Sequence, residues 1–313
     1  MRRFLLKTSV ALLIVLAVHA FAGHFADGRL DAFYLRFTGE RQGSLILGTS
    51  RAAQGLRPAV MMSEMGNKQR DGLFNFAFTV AQTPYGPAYL RAIHAKLEPA
   101  ERNGLFLVTV DPWSLCDIIG PDIEPGTMPE EKYQVGEQWT FTGHPNYEYL
   151  VRNAPAGWGS FIGGPLHDID TTMTLHRDGW LQVYVSLDSQ LVAKRTEAKL
   201  KHYREEMVPK HRPGTTRLRY LEELVEMLRP HGRVFLVRMP VCNAMAQVEE
   251  ELWPGLDTTL EGLASKHGIP YWNLMSERDR YTYSDGNHLD TTSARIFSAD
   301  LAHRIASTGN TGF

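Results

Sequence analysis

Leu45-Ile46-Leu47-Gly48-Thr49-Ser50-Arg51 is the stretch from which the fold is read. Three apolar residues make a short buried strand, Gly48 ends it, and Ser50 stands where an α/β sheet exposes reactive side chains. Gly-Thr-Ser also makes ordinary turns and helix caps, so Ser50 alone decides nothing. A serine hydroxyl is a poor nucleophile at neutral pH. It needs an imidazole to take its proton and a carboxylate to orient that imidazole.

Both groups occur near the other end of the chain, in Asp285-Gly286-Asn287-His288-Leu289. An acid and a histidine three residues apart on a turn can reach each other, the carboxylate accepting from Nδ1–H while Nε2 faces the serine. The expected set is Ser50 as nucleophile, His288 as base and Asp285 as orienter. Asp290 is an alternative orienter, but it stands at a helix start and reads as an N-cap.

Around these segments the chain alternates. Residues 44–47, 105–110, 233–239 and 270–274 read as short buried strands. Helical apolar spacing falls between and after them, at 85–97, 216–228, 256–266 and 291–305. That order predicts a mostly parallel sheet covered on both faces. Residues 115–215 break the rhythm, with many Gly, Pro, Trp and Tyr, an alternating run at 180–185 and a charged helix at roughly 191–207. They are expected to form an insertion over the C-terminal edge of the sheet.

The two motifs resemble the first and last sequence blocks of the SGNH (GDSL-type) hydrolases. Leu45 to Ala52, closely followed by Leu56-Arg57-Pro58, is especially similar to SGNH hydrolase-like proteins of bacterial envelopes. Those proteins are often single-pass anchored and associated with acylation of cell-surface polysaccharides. They include relatives of alginate O-acetylation proteins and of the teichoic-acid D-alanine transfer protein. Phe74-Asn75-Phe76-Ala77 falls where that group carries its second block, and Val110-Asp111-Pro112-Trp113-Ser114 where it carries its third. The resemblance covers residues 44–114 and 216–305 and implies a three-layer, flavodoxin-like parallel sheet with a central insertion.

Departures from the family pattern bear on the oxyanion site. Thr49 replaces an aspartate, the second block lacks its glycine, and Asp111 stands where many members place an asparagine. Asn75 is then the candidate side chain beside the oxyanion, together with the backbone N–H of Arg51. An ionised Asp111 would repel an oxyanion, so it points elsewhere, stays protonated or binds a cationic or hydroxyl-rich substrate. The Arg51 side chain is read either as a binder of an anionic sugar or acyl group or as half of a surface salt bridge.

The chain has 313 residues and a net charge of −2, which gives no basic footprint for nucleic acid. Arg2, Arg3 and Lys7 precede an uncharged apolar run from Val10 to Phe21, broken only by His19. A basic start followed by an apolar core is an export signal or an anchor, and a bilayer span needs ~17–25 residues. Ala20-Phe21-Ala22 fits a cleavage site, so both readings stand; either way the remainder faces away from the cytoplasm. The expected organisation is residues 1–23 as signal or anchor and 24–313 as one α/β domain. Cys116 and Cys242 follow neighbouring strands and read equally as a pair or as two free thiols.

Two clusters invite functional readings that the spacing does not support. His167, Asp168, Asp170, His176 and Asp178 match no metal-ligand pattern and read as a polar loop. Trp113, Trp139, Trp158, Trp180 and Tyr147 suggest a sugar-stacking wall, with core packing the simpler reading. The expected function is an extracytoplasmic serine esterase or O-acyltransferase acting on acyl, above all acetyl, esters of an envelope glycan. Its chemistry needs no organic cofactor or metal. Its expected partners are the acylated cell-surface glycan, a membrane-bound acyltransferase and the membrane itself. The alternative is a catalytically silent protein of the same fold that binds polysaccharide or scaffolds such an acyltransferase.

Overall fold

The computed structural model describes residues 1–26, 31–66, 72–121, 123–124, 126–153 and 172–308. His167, Asp168, Asp170 and Trp158 lie outside the described residues.

Runs of Leu, Ile, Val and Phe that are apolar at every position are the signature of parallel strands covered on both faces. β1 (Leu45–Leu47) and most of β3 (Gly104–Thr109) and β8 (Gly232–Arg238) are such runs, and with the short edge strands β2 (Phe74–Asn75) and β9 (Tyr271–Asn273) they form the central sheet. Their order is β2-β1-β3-β8-β9, and every neighbouring pair is parallel. This is the doubly wound, flavodoxin-like order, in which the chain leaves its first strand in one direction and later returns to its other side.

Alternate side chains of each strand enter separate cores, because successive residues of a strand point to opposite faces. Leu45, Leu47, Phe106, Val108, Val234 and Leu236 pack on one face. There they meet α4 (Pro87–Lys96), α9 (Thr216–Leu228) and α11 (Leu256–His267). Ile46, Leu105, Leu107, Phe235 and Val237 pack on the other. They meet α2 (Ser50–Gly55), α3 (Pro58–Glu64) and α12 (Thr291–Thr308). The result is the three-layer α/β architecture expected from the alternating pattern.

The inserted residues begin and end at one place. Beyond α5 (Pro112–Leu115), β4 (Asp117–Ile118) pairs antiparallel with β7 (His211–Arg212). Between them lie two short helices, α6 (Gln134–Glu137) and α7 (Tyr147–Asn153), and a hairpin of β5 (Met173–Leu175) and β6 (Leu181–Val183). The charged helix α8 (Ser189–His202) follows, starting two residues earlier than expected and passing into a π-helical turn at Tyr203–Met207. The hairpin turn reaches the edge of the sheet, where the Asn75 N–H donates to Asp178 O at 2.8 Å.

Helix α1 (Arg2–Gly23) is 22 residues long and none of its apolar window is buried. It is long and apolar enough to be a membrane anchor or a signal segment. Its C-terminal end meets Tyr147, whose hydroxyl donates to Ala20 O at 2.8 Å. Helix α10 (Asn243–Leu252) and strand β2 are additions that the sequence pattern did not single out. Cys116 and Cys242 are both free thiols.

Candidate active site

The site forms where β1 and β3 end, the place at which the connections diverge to opposite sides of the sheet. Gly48 turns the chain there with φ +139° and lies so close to β3 that a Cβ would meet Thr109 Oγ1 at 1.8 Å. Its N–H donates to Tyr89 Oη at 3.0 Å and its carbonyl accepts from Thr83 Oγ1 at 2.9 Å, which fixes the turn. Ser50 follows as the first residue of α2 and is half-buried at the rim.

The opposite wall is the turn at 284–288. Gly286 has φ +76°, and a Cβ there would press on Thr196 of α8 and on Cys242 Sγ. The bend lets one carboxylate oxygen, Asp285 Oδ1, accept from the backbone N–H groups of Asn287 at 3.0 Å and His288 at 2.9 Å. Its Oδ2 lies 2.9 Å from His288 Nδ1. Only a proton on Nδ1 makes that contact a hydrogen bond, because an ionised carboxylate can only accept. The lone pair of Nε2 is therefore free for Ser50, whose Oγ is 2.8 Å away.

Electrostatics favour this arrangement. Burial pushes the Asp285 carboxyl up, but the hydrogen bond from His288, attraction to its ring and the Lys199 ammonium of α8 outweigh burial and hold it well below the ordinary range. Asp285 thus stays an acceptor, as the orienting role requires.

The flanking residues differ from the sequence expectations. Asn75 is fully buried, with Nδ2 donating to Ala52 O at 2.8 Å and Leu56 O at 2.9 Å while Oδ1 accepts from Ala77 N. Its amide braces the C-terminal end of α2, adding a second donor to Ala52 O, which already accepts from Leu56 N–H, and supplying one to Leu56 O. Asp111 caps α5, accepting from Ser114 N at 2.9 Å, and its other oxygen accepts from Thr49 Oγ1 at 2.9 Å. Of the three fates open to Asp111, pointing elsewhere is the one found. Its link to Thr49 also gives the residue in place of the family's aspartate a structural task.

Arg51 is neither a surface ion pair nor a substrate contact. Its guanidinium is buried, 2.5 Å from Glu249, and donates to Asn287 Oδ1 from Nη2 at 2.7 Å and from Nε at 3.1 Å. Burial opposes its charge, and Glu249 and Asp111 more than restore it. Glu249 also accepts from Trp113 Nε1 at 3.0 Å and pairs with Arg238 at 3.2 Å, and Arg238 in turn holds Asp257. Asp290 caps α12 through Ser293 N at 2.7 Å, as its position suggested.

The described tryptophans do not form a wall. Trp113 is buried under Glu249, Trp139 lies exposed under Arg91, and Trp180 donates to Gln54 O beside His176. His176 and Asp178 serve the hairpin, His176 contacting Gln182 and Asp178 accepting from Ala59 N and Trp180 N. A groove of about 370 Å³ opens where that hairpin meets the segments carrying Ser50 and His288, lined among others by Gln54, Trp180, Val183, Leu187, Ser284 and Leu289. Asn287, Lys199 and Glu249 were not found from the sequence, although Asn287 lies inside the quoted Asp-Gly-Asn-His.

No protein-family model matches the chain, and no curated protein does. Among solved structures, the native aryl esterase of M. smegmatis is similar at 13% identity, covering 84% of this chain and 99% of its own, with a TM-score of 0.38. Its inhibitor-bound form gives the same identity and coverage with a TM-score of 0.35. Overlap this loose carries no weight for fold or chemistry, both of which rest on strand order and side-chain geometry.

Proposed function

We propose that the protein is a serine esterase or O-acyltransferase of the SGNH type, acting on acyl esters of a cell-envelope glycan. The observation that supports this most is the unbroken contact from Ser50 Oγ through His288 to Asp285, at 2.8 Å and 2.9 Å, between segments more than 230 residues apart. Ser50 Oγ attacks the acyl carbonyl carbon and its proton passes to His288 Nε2. The ester C–O bond then breaks, and the departing alcohol takes that proton from His288. The acyl group stays on Ser50 until a second hydroxyl, from water or a sugar, repeats the steps in reverse. Asp285 keeps the ring oriented throughout, and the backbone N–H of Arg51, in the first turn of α2, is the nearest main-chain candidate for the oxyanion.

The groove beside the hairpin offers both apolar and hydroxyl-lined surface for an acylated sugar. Three basic residues before the apolar stretch of α1 support an orientation with the α/β part outside the cytoplasm. A catalytically silent binding protein is the competing reading; it finds support in the engagement of Asn75 and Asp111 elsewhere. Release of acetate from an O-acetylated polysaccharide by the purified full chain, compared with Ser50→Ala, tests the proposal. Release by the wild type alone supports it, and equal release by both proteins, or by neither, counts against it.

A further inference from the structure

The atom that shares His288 Nε2 with the serine belongs to Asn287. Its Nδ2 lies 3.3 Å from that nitrogen. The orientation of this amide is not arbitrary. A guanidinium carries only donors, so the Asn287 atom facing Arg51 at 2.7 and 3.1 Å has to be the oxygen. Nδ2 is thereby turned toward the reacting nitrogen, and among the described residues its one hydrogen-bond contact is Nε2. That nitrogen has a single lone pair, which Ser50 occupies at 2.8 Å. The amide N–H therefore faces the reaction centre without an acceptor of its own there, although Asn287 is only 2% exposed.

Resting on the esterase reading, we infer that Asn287 Nδ2 is a catalytic donor to the alcohol oxygen, both when the alcohol leaves and when the second hydroxyl enters. One oxygen atom can contact two nitrogens that are 3.3 Å apart. During acylation, the ester oxygen takes its proton from His288 Nε2 and accepts a hydrogen bond from Asn287 as its bond to carbon breaks and charge gathers on it. During deacylation, the incoming water or sugar hydroxyl gives its proton to Nε2 while its oxygen accepts from Nδ2. Arg51 is the positioning residue behind this donor, and the Glu249 carboxylate holds Arg51.

The test uses leaving-group dependence. Nitrophenolate is a weak base and departs without help, whereas an alkoxide needs both the proton and the hydrogen bond. In the full chain, Asn287→Ala should keep kcat/KM for p-nitrophenyl acetate within a few-fold of wild type. For an alkyl acetate it should fall roughly 10- to 100-fold, the worth of one hydrogen bond to a charged group. Asn287→Asp retains an acceptor for Arg51 and removes the donor, so it should show the same selectivity if the alanine variant folds poorly. Labelling by a fluorophosphonate, whose fluoride needs no such donor, counts the competent sites in each variant. An equal loss on both esters per labelled site, or no loss on either, overturns the role of Asn287 and leaves the esterase reading standing. A wild type that is neither labelled nor active on any ester removes that reading and the inference with it.

Discussion

Lys199 Nζ lies 3.4 Å from Asp285 Oδ2, so a helix of the inserted segment touches the acid that orients His288. The hydrogen bond from the His288 ring and its attraction come first, and the Lys199 contact and the His288 N–H add to them, so the carboxylate stays ionised despite burial. A carboxyl depressed in the folded state adds stability above its unfolded pKa, and that stability is lost as pH falls. Asp285→Asn should therefore be less stable than wild type at neutral pH. The gap in urea midpoint should close as pH drops below about 4, the ordinary aspartate range. Lys199→Met should show a smaller version of the same convergence, since Lys199 is partly exposed and screened.

The buried Arg51–Glu249–Arg238 cluster joins the rim that carries Ser50 to the sheet. Glu249 is fully buried, and removing its charge takes from Arg51 its one direct carboxylate partner among the described residues and leaves Arg238 with Asp257 alone. Glu249→Gln should lower unfolding free energy by about 3–5 kcal/mol in chemical denaturation. Replacing an exposed acid such as Glu251 should change it by less than about 0.5 kcal/mol.

Asn75 separates a structural role from the oxyanion role first expected of it. Asn75→Ala leaves the buried carbonyl of Leu56 without its donor, while Ala52 O keeps the Leu56 N–H, and one unpaired buried group costs about 1–3 kcal/mol. A drop in thermal stability is expected, while fluorophosphonate labelling per folded molecule stays close to wild type. Loss of labelling without loss of stability would return Asn75 to the oxyanion site.

At Gly48, both the positive φ and the approach of Thr109 exclude a side chain. Gly48→Ala should cost more than about 1 kcal/mol in urea unfolding and displace Ser50 from His288, seen as slower labelling.

The sequence showed most of what local chemistry encodes. The buried strands were legible because parallel strands are apolar at every position, and the Ser50 turn because a glycine interrupts such a run. β2 is two residues long and α10 mixes its buried Met245 and Val248 with a run of glutamates, so neither carried enough period to be read. Glu249 belongs to that run and would be placed in solvent by pattern alone; Arg51, Arg238 and the Trp113 N–H, all from other elements, make its burial tolerable. Asp111 is different, since Asp-Pro-Trp-Ser is a helix-capping signal visible in the sequence. Asn75 closes α2 through a tertiary contact that no spacing announces.

Covalent labelling of the intact chain with a fluorophosphonate, followed by mapping of the modified residue, interrogates the Ser50–His288 pair itself. Wild type should carry the label on Ser50, Ser50→Ala should carry none, and His288→Ala should react at least ~10³-fold more slowly. Label that persists unchanged in both variants would mean that the two side chains are neighbours without being partners.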